Sequence, residues 1–250
     1  MLQQLHIGQL SVRLAASIED RQKSASLRSR FFVPKASEVP NRDWDRFDQE
    51  FDHILVETMP GSALVATMRV KILKNITDAA KGYSGSFYDI SPIFSSNEKV
   101  MEIGRLCVAE RQLVPDVMRA LWAFVVLCGE DAGCTTVIGC TSFRGTKTTE
   151  YAHAFGYLAK FATGPKALVP KISSSNYALF RTVGASEFDR KKAMQQMPAL
   201  LRSYLNLGAW VGDHAVIDFD MGTIHVFTAL EMTRIPPLKL RRLRKVYSIG

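Results

Sequence analysis

The run KVMEIGRLCV, residues 99–108, is apolar and of strand length, yet it carries an acid and a base, Glu102 and Arg105, at its centre. A short connection over residues 109–115 leads to an almost wholly apolar segment, residues 116–130, and then to a second apolar run, residues 135–142. These lengths and tight links predict strand, helix, strand: the buried βαβ crossover of an α/β sheet. A carboxylate in the middle of a buried strand is costly unless partnered or used, so the chemistry is expected at Glu102. In an extended strand Glu102, Gly104 and Leu106 share one face, and Ile103, Arg105 and Cys107 the other. Gly104 inside such a strand points to a bulge. A bulge would splay the strand from its neighbour and leave backbone N–H and C=O groups free. Those groups could bind an extended, amide-containing ligand by adding it to the sheet, or stabilise the oxyanion of a thioester carbonyl.

Outward from this unit, residues 10–16 alternate as a first strand, and Ser17 or Asp20 caps a helix running to Phe32. Residues 34–50 read as a polar loop rich in acids, among them Asp43, Asp45 and Asp48. Residues 53–57 and 63–73 read as a hairpin, and residues 75–86, with Gly82 and Gly85, as a loop. Beyond the central unit a helix is expected over residues 148–161, and a loop or short edge strand over residues 163–176. Pro198 opens a helix that Gly208 ends. Residues 216–219 and 223–230 form the last strands. The order predicts a mixed α/β sheet flanked by helices.

The chain of 250 residues, 47% of them apolar, can bury a full core. The longest apolar run, residues 120–128, is far short of the roughly 18 residues needed to cross a bilayer. The N-terminus lacks the order of a secretory signal. Cys107, Cys128, Cys134 and Cys140 all fall in the βαβ unit without zinc-ligand spacing, which suggests reduced, buried thiols and a cytoplasmic location. The net charge of +8 is concentrated at one end. From Arg234 onward there are six Lys or Arg and no acid, while the rest of the chain carries 26 basic against 24 acidic residues. Leucines interleave these charges, so residues 233–250 read as a basic amphipathic tail. Such a tail suits an acidic protein or an anionic membrane surface on the inner face of the membrane. It serves equally as a solvated terminus. A nucleic-acid partner is not expected.

MEIGRLCV (101–108) resembles the central strand of the GNAT acyltransferase fold, in the branch that holds autoinducer synthases and bacterial L-ornithine N-acyltransferases. LRSRFFV (27–33) resembles the first-helix signature of that branch. FD (47–48) with FDHILV (51–56) resembles its acidic segment, and ATMRV (66–70) its arginine strand. FYDISP (87–92), ALW (120–122), IGCTSF (138–143), YLNLGA (204–209) and VGD (211–213) are similar to the ornithine branch in particular. The resemblance covers residues 10 to 230. It implies a GNAT-like mixed central sheet with a splayed central strand pair, flanked by helices, over residues 1–232. A C-terminal helical and strand extension would occupy residues 190–232.

The resemblance further implies transfer of a 3-hydroxyacyl group from acyl carrier protein to the α-amine of ornithine, forming a lyso-ornithine lipid, with no permanently bound cofactor. An attacking amine is mostly protonated at pH 7 and must lose a proton. Glu102 is the expected base, directly or through water, and His53 is not. Arg28, Asp48, Asp52 and Arg69 are expected to meet the amino acid, and Arg105, Leu106, Cys107, Val108 and Arg111 the acyl-phosphopantetheine donor. The turn ERQLVPD (110–116) has no glycine, so it serves a diphosphate poorly and favours a carrier-protein arm. Phe51 stands where the branch has a small residue, which leaves the amino acid open, glutamine included. An acyl-homoserine lactone synthase and a non-catalytic carrier-protein or membrane-surface binding module are the competing readings. Glu102 could equally be a structural partner of Arg105 or Arg69, and the Arg28, Arg69, Asp48 and Asp52 set an ion network that touches no substrate.

Overall fold

The computed structural model describes residues 4–32, 43–94, 98–109 and 113–245. In chain order its elements begin with β1 (Gln4–Ile7), β2 (Leu10–Leu14), α1 (Ile18–Phe32) and α2 (Phe47–Glu50). There follow β3 (Asp52–Thr58), β4 (Leu64–Leu73), α3 (Ile76–Ala80) and β5 (Tyr88–Asp89). The central unit is β6 (Lys99–Val108), α4 (Val114–Ala132) and β7 (Cys134–Arg144). Then come α5 (Ala152–Phe161), β8 (Lys171–Ile172), β9 (Tyr177–Leu179), α6 (Phe180–Val183), α7 (Arg190–Gln196) and α8 (Ala199–Asn206). The chain continues with β10 (Trp210–Asp218), β11 (Thr223–Glu231) and α9 (Pro237–Lys245). The architecture is the expected mixed α/β sheet with helices on its flanks.

Two compact units divide these elements: residues 1–72, 103–134 and 237–250 in the first, and residues 73–102 and 135–236 in the second. Strand β6 contributes its first four residues to the second unit and the remainder to the first. In the first unit β1, β2, β3 and β4 form an antiparallel meander, with Leu14 opposite Ile54 and His53 opposite Arg69. The Ser17 hydroxyl accepts the Asp20 N–H and caps α1, as the sequence predicts. The Arg13 guanidinium donates to both Asp20 and Glu57, tying β2 to α1 and β3.

Helix α4 is apolar on nearly every side because nearly every side is buried, with Val117 and the whole run from Ala120 to Val126 out of reach of solvent. Pro115 sits in its first turn, where the missing N–H costs nothing, and Gly133 closes it at φ +71. Helix α9 packs on α4. It buries Leu243 and pairs Arg244 with Glu130, so residues 237–245 of the basic segment are an ordered, docked helix.

In the second unit the sheet order is β6, β7, β11, β10, β9. Strand β11 pairs antiparallel with β7 from Thr223 opposite Arg144 to Glu231 opposite Thr136. Alternation along β11 divides the core in two. Ile224 and Val226 join a cluster with Phe143, Phe155 and Phe180, while Phe227 and Ala229 join one with Tyr88, Val100 and Ile138. Fully burying an aromatic or branched side chain of this size contributes about 1.5–3 kcal/mol.

The structure corrects several expectations. Strand β1 adds a hairpin ahead of the expected first strand. Within the stretches expected as loops, α2 and α3 are short helices, the latter capped by the Asn75 side chain accepting the Asp78 N–H. Helices α6 and α7 lie where the sequence pattern predicts no element. The irregular residue of β6 is Arg105, at φ +51, and not Gly104. A side chain at Gly104 would meet nothing within 4 Å, so no glycine is required there. A left-handed arginine costs about 1–2 kcal/mol, and here Asp43 and Asp45 hold its guanidinium in place.

Candidate active site

Glu102 lies in the second unit and is 1% exposed. Its carboxylate accepts the backbone N–H of Ser84 at 2.5 Å and that of Tyr83 at 3.2 Å. Both partners are donors, which is what an ionised carboxylate requires. Gly82 completes the seat: a Cβ there would stand 2.3 Å from Glu102 Oε2, so any side chain at this position would push the carboxylate from its place. Beside it, the Cys140 thiol donates to the Ser84 hydroxyl at 3.7 Å. Burial, reinforced by the charge of Glu102, pushes that thiol far above its ordinary pKa. Cys140 is therefore no thiolate nucleophile at neutral pH.

The loop that seats Glu102 also carries an aromatic cluster. The rings of Tyr83 and Phe87 lie 5.1 Å apart, and the imidazole of His225, on β11, is 4.8 Å from Phe87 and 5.6 Å from Tyr88. Burial, with a smaller contribution from His214, lowers His225 to about 4.

The first unit holds three arginines and three aspartates in one closed network. Arg28, wholly buried on α1, donates through Nε to Asp43 at 2.7 Å and through Nη2 to Asp48 at 2.6 Å. Arg69, on β4, donates to Asp45 at 2.5 Å and to Asp48 at 3.2 Å. Arg105 reaches Asp43 at 2.8 Å and Asp45 at 3.5 Å. The Asp45 N–H adds a bond to Asp48 Oδ2. Three positive charges meet three negative ones, and the cluster is neutral. Burial raises the Asp45 pKa, but the hydrogen bond from Arg69 and the charges of Arg69 and Arg105 outweigh it and leave Asp45 below the usual carboxylate value.

His53 lies beneath this network, bonded to the Ser24 hydroxyl and the Asp48 carbonyl. Burial, then the charge of Arg28, lowers it to about 4. The unfolded chain, with a histidine value of about 6.5, binds more protons than the folded one between these limits. Stability therefore rises with pH through that window and is lost as pH falls through it. His53 and His225 each contribute a loss on the order of 3 kcal/mol by pH 4. Urea midpoints measured between pH 7.5 and 4.5 should fall, and His53→Gln should flatten the slope. A slope unchanged in that variant would remove His53 as a cause.

The expected site residues thus separate. Arg28, Asp48 and Arg69 meet in the network, joined by Asp43 and Asp45, which the sequence shows as acids of the same loop. Asp52 stands apart, half exposed and 3.8 Å from Arg21. Arg105 shares the network, and Leu106, Cys107 and Val108 follow it along β6. Cys107 faces the Leu27 carbonyl, and burial pushes its thiol up to about 12. Arg111 falls outside the described residues. Among the described residues no cluster of His, Cys, Asp or Glu is arranged to hold a metal, and no helix is long and apolar enough to cross a membrane. Sequence reasoning misses Tyr83, Ser84 and His225 at this site, and Gly82 is its one signal, a glycine in an otherwise ordinary loop.

Residues 27–123 match the model of the acetyltransferase (GNAT) domain. The chain is 30% identical over 243 residues to the L-ornithine N(alpha)-acyltransferase of Brucella abortus (strain 2308), covering 92% of this chain and 86% of that protein. It is 29% identical to the protein of the same name from Agrobacterium fabrum, with 92% and 83% covered. Among solved structures, the CoA-dependent acyl-homoserine lactone synthase BjaI, with SAM and isopentyl-CoA, superposes with a TM-score of 0.52 at 12% identity, covering 92% of this chain and 83% of that one. TofI in a ternary complex with an inhibitor and MTA gives 0.50 at 15% identity, covering 94% and 96%. These two likenesses concern the fold.

Proposed function

Because this chain belongs to the L-ornithine N(alpha)-acyltransferase family, we propose that it is an acyltransferase that acylates the α-amine of ornithine, with an acyl-carrier-protein thioester as donor and Glu102 as the base. The observation that carries the mechanism is the seated, buried carboxylate of Glu102. Glu102 takes a proton from the α-ammonium, directly or through one water, and frees the nitrogen lone pair. The nitrogen attacks the thioester carbonyl carbon. The C–N bond forms and the C–S bond breaks; the nitrogen gives its second proton to the departing pantetheine thiolate, and Glu102 returns the first to solvent. Neither Cys107 nor Cys140 is a thiolate, which supports direct transfer without an acyl-enzyme.

The backbone of Arg105, Leu106, Cys107 and Val108 is the proposed track for the pantetheine arm, added along β6 by its amides, with Arg111 for the phosphate. The left-handed Arg105 supports this reading, since its φ of +51 departs from regular strand geometry at the start of that track. Arg28, Asp48 and Arg69 are the residues proposed to recognise the amino acid, and Asp52 is the carboxylate proposed for its cationic side chain. Purified protein incubated with 3-hydroxyacyl carrier protein and a panel of amino acids should yield acylornithine. Acylglutamine, or a lactone formed in the presence of SAM, would replace this function with another.

Carrier proteins are acidic, and α9 exposes Arg241 and Arg242 on its outer side. Reversing both to glutamate should raise KM for the carrier protein about 10-fold at low salt, leave kcat unchanged, and lose the effect at high salt. An unchanged KM, with lost binding to anionic vesicles instead, would reassign this face to a membrane.

A further inference from the structure

Within the second unit, the loop that follows α5 and the start of β10 enclose a cavity of about 370 Å³. Its charged lining is Lys166, Lys171 and Asp213, and its apolar lining includes Val169, Pro170 and Ile172. Backbone bonds fix the wall. The Gly164 N–H donates to the Val211 carbonyl, the Val211 N–H to the Ala162 carbonyl, and the Val169 N–H turns back to the Pro165 carbonyl. Trp210 lies against the same wall: a Cβ on Gly164 would stand 2.2 Å from its indole.

The charges of this cavity are poorly matched by the protein itself. Asp213 Oδ1 lies 2.7 Å from Nδ1 of the buried His214, which holds the carboxylate in place. Among the described residues nothing hydrogen-bonds its Oδ2, so one carboxylate oxygen is open to a ligand. Lys166 has no ion-pair partner among the described residues. Lys171 is loosely engaged, its Nζ 3.9 Å from Asp89 in an exposed pair that contributes little. A complementary ligand therefore carries a carboxylate for the two lysines, a cation for Asp213 and a hydrocarbon portion for the apolar wall. Free ornithine lacks the hydrocarbon chain and brings its α-ammonium beside the lysines. The acyl-phosphopantetheine donor has a chain, but it brings a phosphate and no cation. The acylated product has all three features: acylation removes the α-ammonium charge, leaves the carboxylate and the side-chain ammonium, and adds the chain.

We propose that this cavity binds the acylated product, an N-acyl amino acid with a cationic side chain, taking its carboxylate at Lys166 and Lys171 and its ammonium at Asp213. The proposal rests on the acyltransfer reading above and adds to it a product site built from residues that the reaction does not use.

The test is a titration of the full-length protein followed by tryptophan fluorescence, to which Trp210 contributes beside the cavity. The ligands share one acyl chain: N-acylornithine, N-acylnorvaline, which lacks only the side-chain amine, and N-acylputrescine, which lacks only the carboxylate. N-acylornithine should bind about 5- to 10-fold more tightly than either, each lost contact being a partly exposed charge pair. Asp213→Asn keeps an oxygen for His214 and should bring the ratio to N-acylnorvaline to about 1, with the ratio to N-acylputrescine unchanged. Lys166→Ala combined with Lys171→Ala should do the reverse. Asp213→Asn should also leave kcat and KM for ornithine as they are. Equal affinity for the three ligands, or a selectivity that neither variant moves, overturns the proposal and leaves acyl transfer standing. A raised KM for ornithine in Asp213→Asn overturns it too, since the cavity would then hold the acceptor. If the protein forms no acylornithine, the acyltransfer reading fails and the choice of ligand falls with it.

Discussion

Glu102→Gln should lower turnover by about 10²–10⁴-fold, the range that removal of a general base commands. The geometry adds a second consequence. Both carboxylate oxygens accept backbone N–H groups, from Tyr83 and Ser84, whereas a glutamine amide offers one acceptor and two donors. One of the loop's N–H groups would then face another donor, at a cost of about 1–3 kcal/mol in stability. Activity and stability both fall, so the distinguishing measurement is the pH dependence of kcat/KM. If Glu102 is the base, the acidic limb of the wild-type profile disappears in the variant and the residual rate becomes flat. If the carboxylate serves only to hold the loop, the variant keeps the wild-type profile at a reduced amplitude. That second outcome would move the base elsewhere.

Asp48→Ala should cost about 3–5 kcal/mol in unfolding free energy, the effect of leaving buried charge without its partner. Asp48 accepts from Arg28, Arg69 and the Asp45 backbone, and Arg28 is wholly buried, with no route to water. Against a total stability of about 5–15 kcal/mol, this loss brings the fold close to its limit. Denaturant unfolding measures it directly. The pair Arg28→Met with Asp48→Leu should cost less than the sum of the two single changes, because an apolar pair leaves fewer unmatched charges. Additive losses would show that the two side chains do not act on each other.

The central unit is legible in the sequence because its signals agree. An almost wholly apolar segment of helical length, with tight links to apolar strands on both sides, admits one reading. The hairpin of β3 and β4 is legible on the same grounds, as is the α1 cap at Ser17. Strand β1 escapes because its alternation, Gln4 to Ile7, runs for only four residues before Gly8. Helices α3, α6 and α7 escape because elements of four to seven residues carry barely two turns of periodicity and depend on their packing. In β6, Gly104 draws attention that belongs to Arg105: tertiary ion pairs, invisible in a single sequence, hold the arginine where a glycine would rest unaided. Glu102 stands out as an acid in an apolar strand, but its seat does not, because backbone N–H groups leave no trace in residue identity. Asp43 and Asp45 are visible as loop acids. Their union with Arg28 and Arg105 requires residues far apart in the chain, and nothing local announces it. His225 and His214 look like ordinary strand histidines.

The balanced set of three guanidinium groups and three carboxylates restricts how this lineage can drift. Any one replacement strands an opposite charge inside the protein, so single steps are selected against and change must arrive in matched pairs. Across descendants these six positions should vary as a block or not at all, and a sequence alignment deep enough to measure covariation would find them linked.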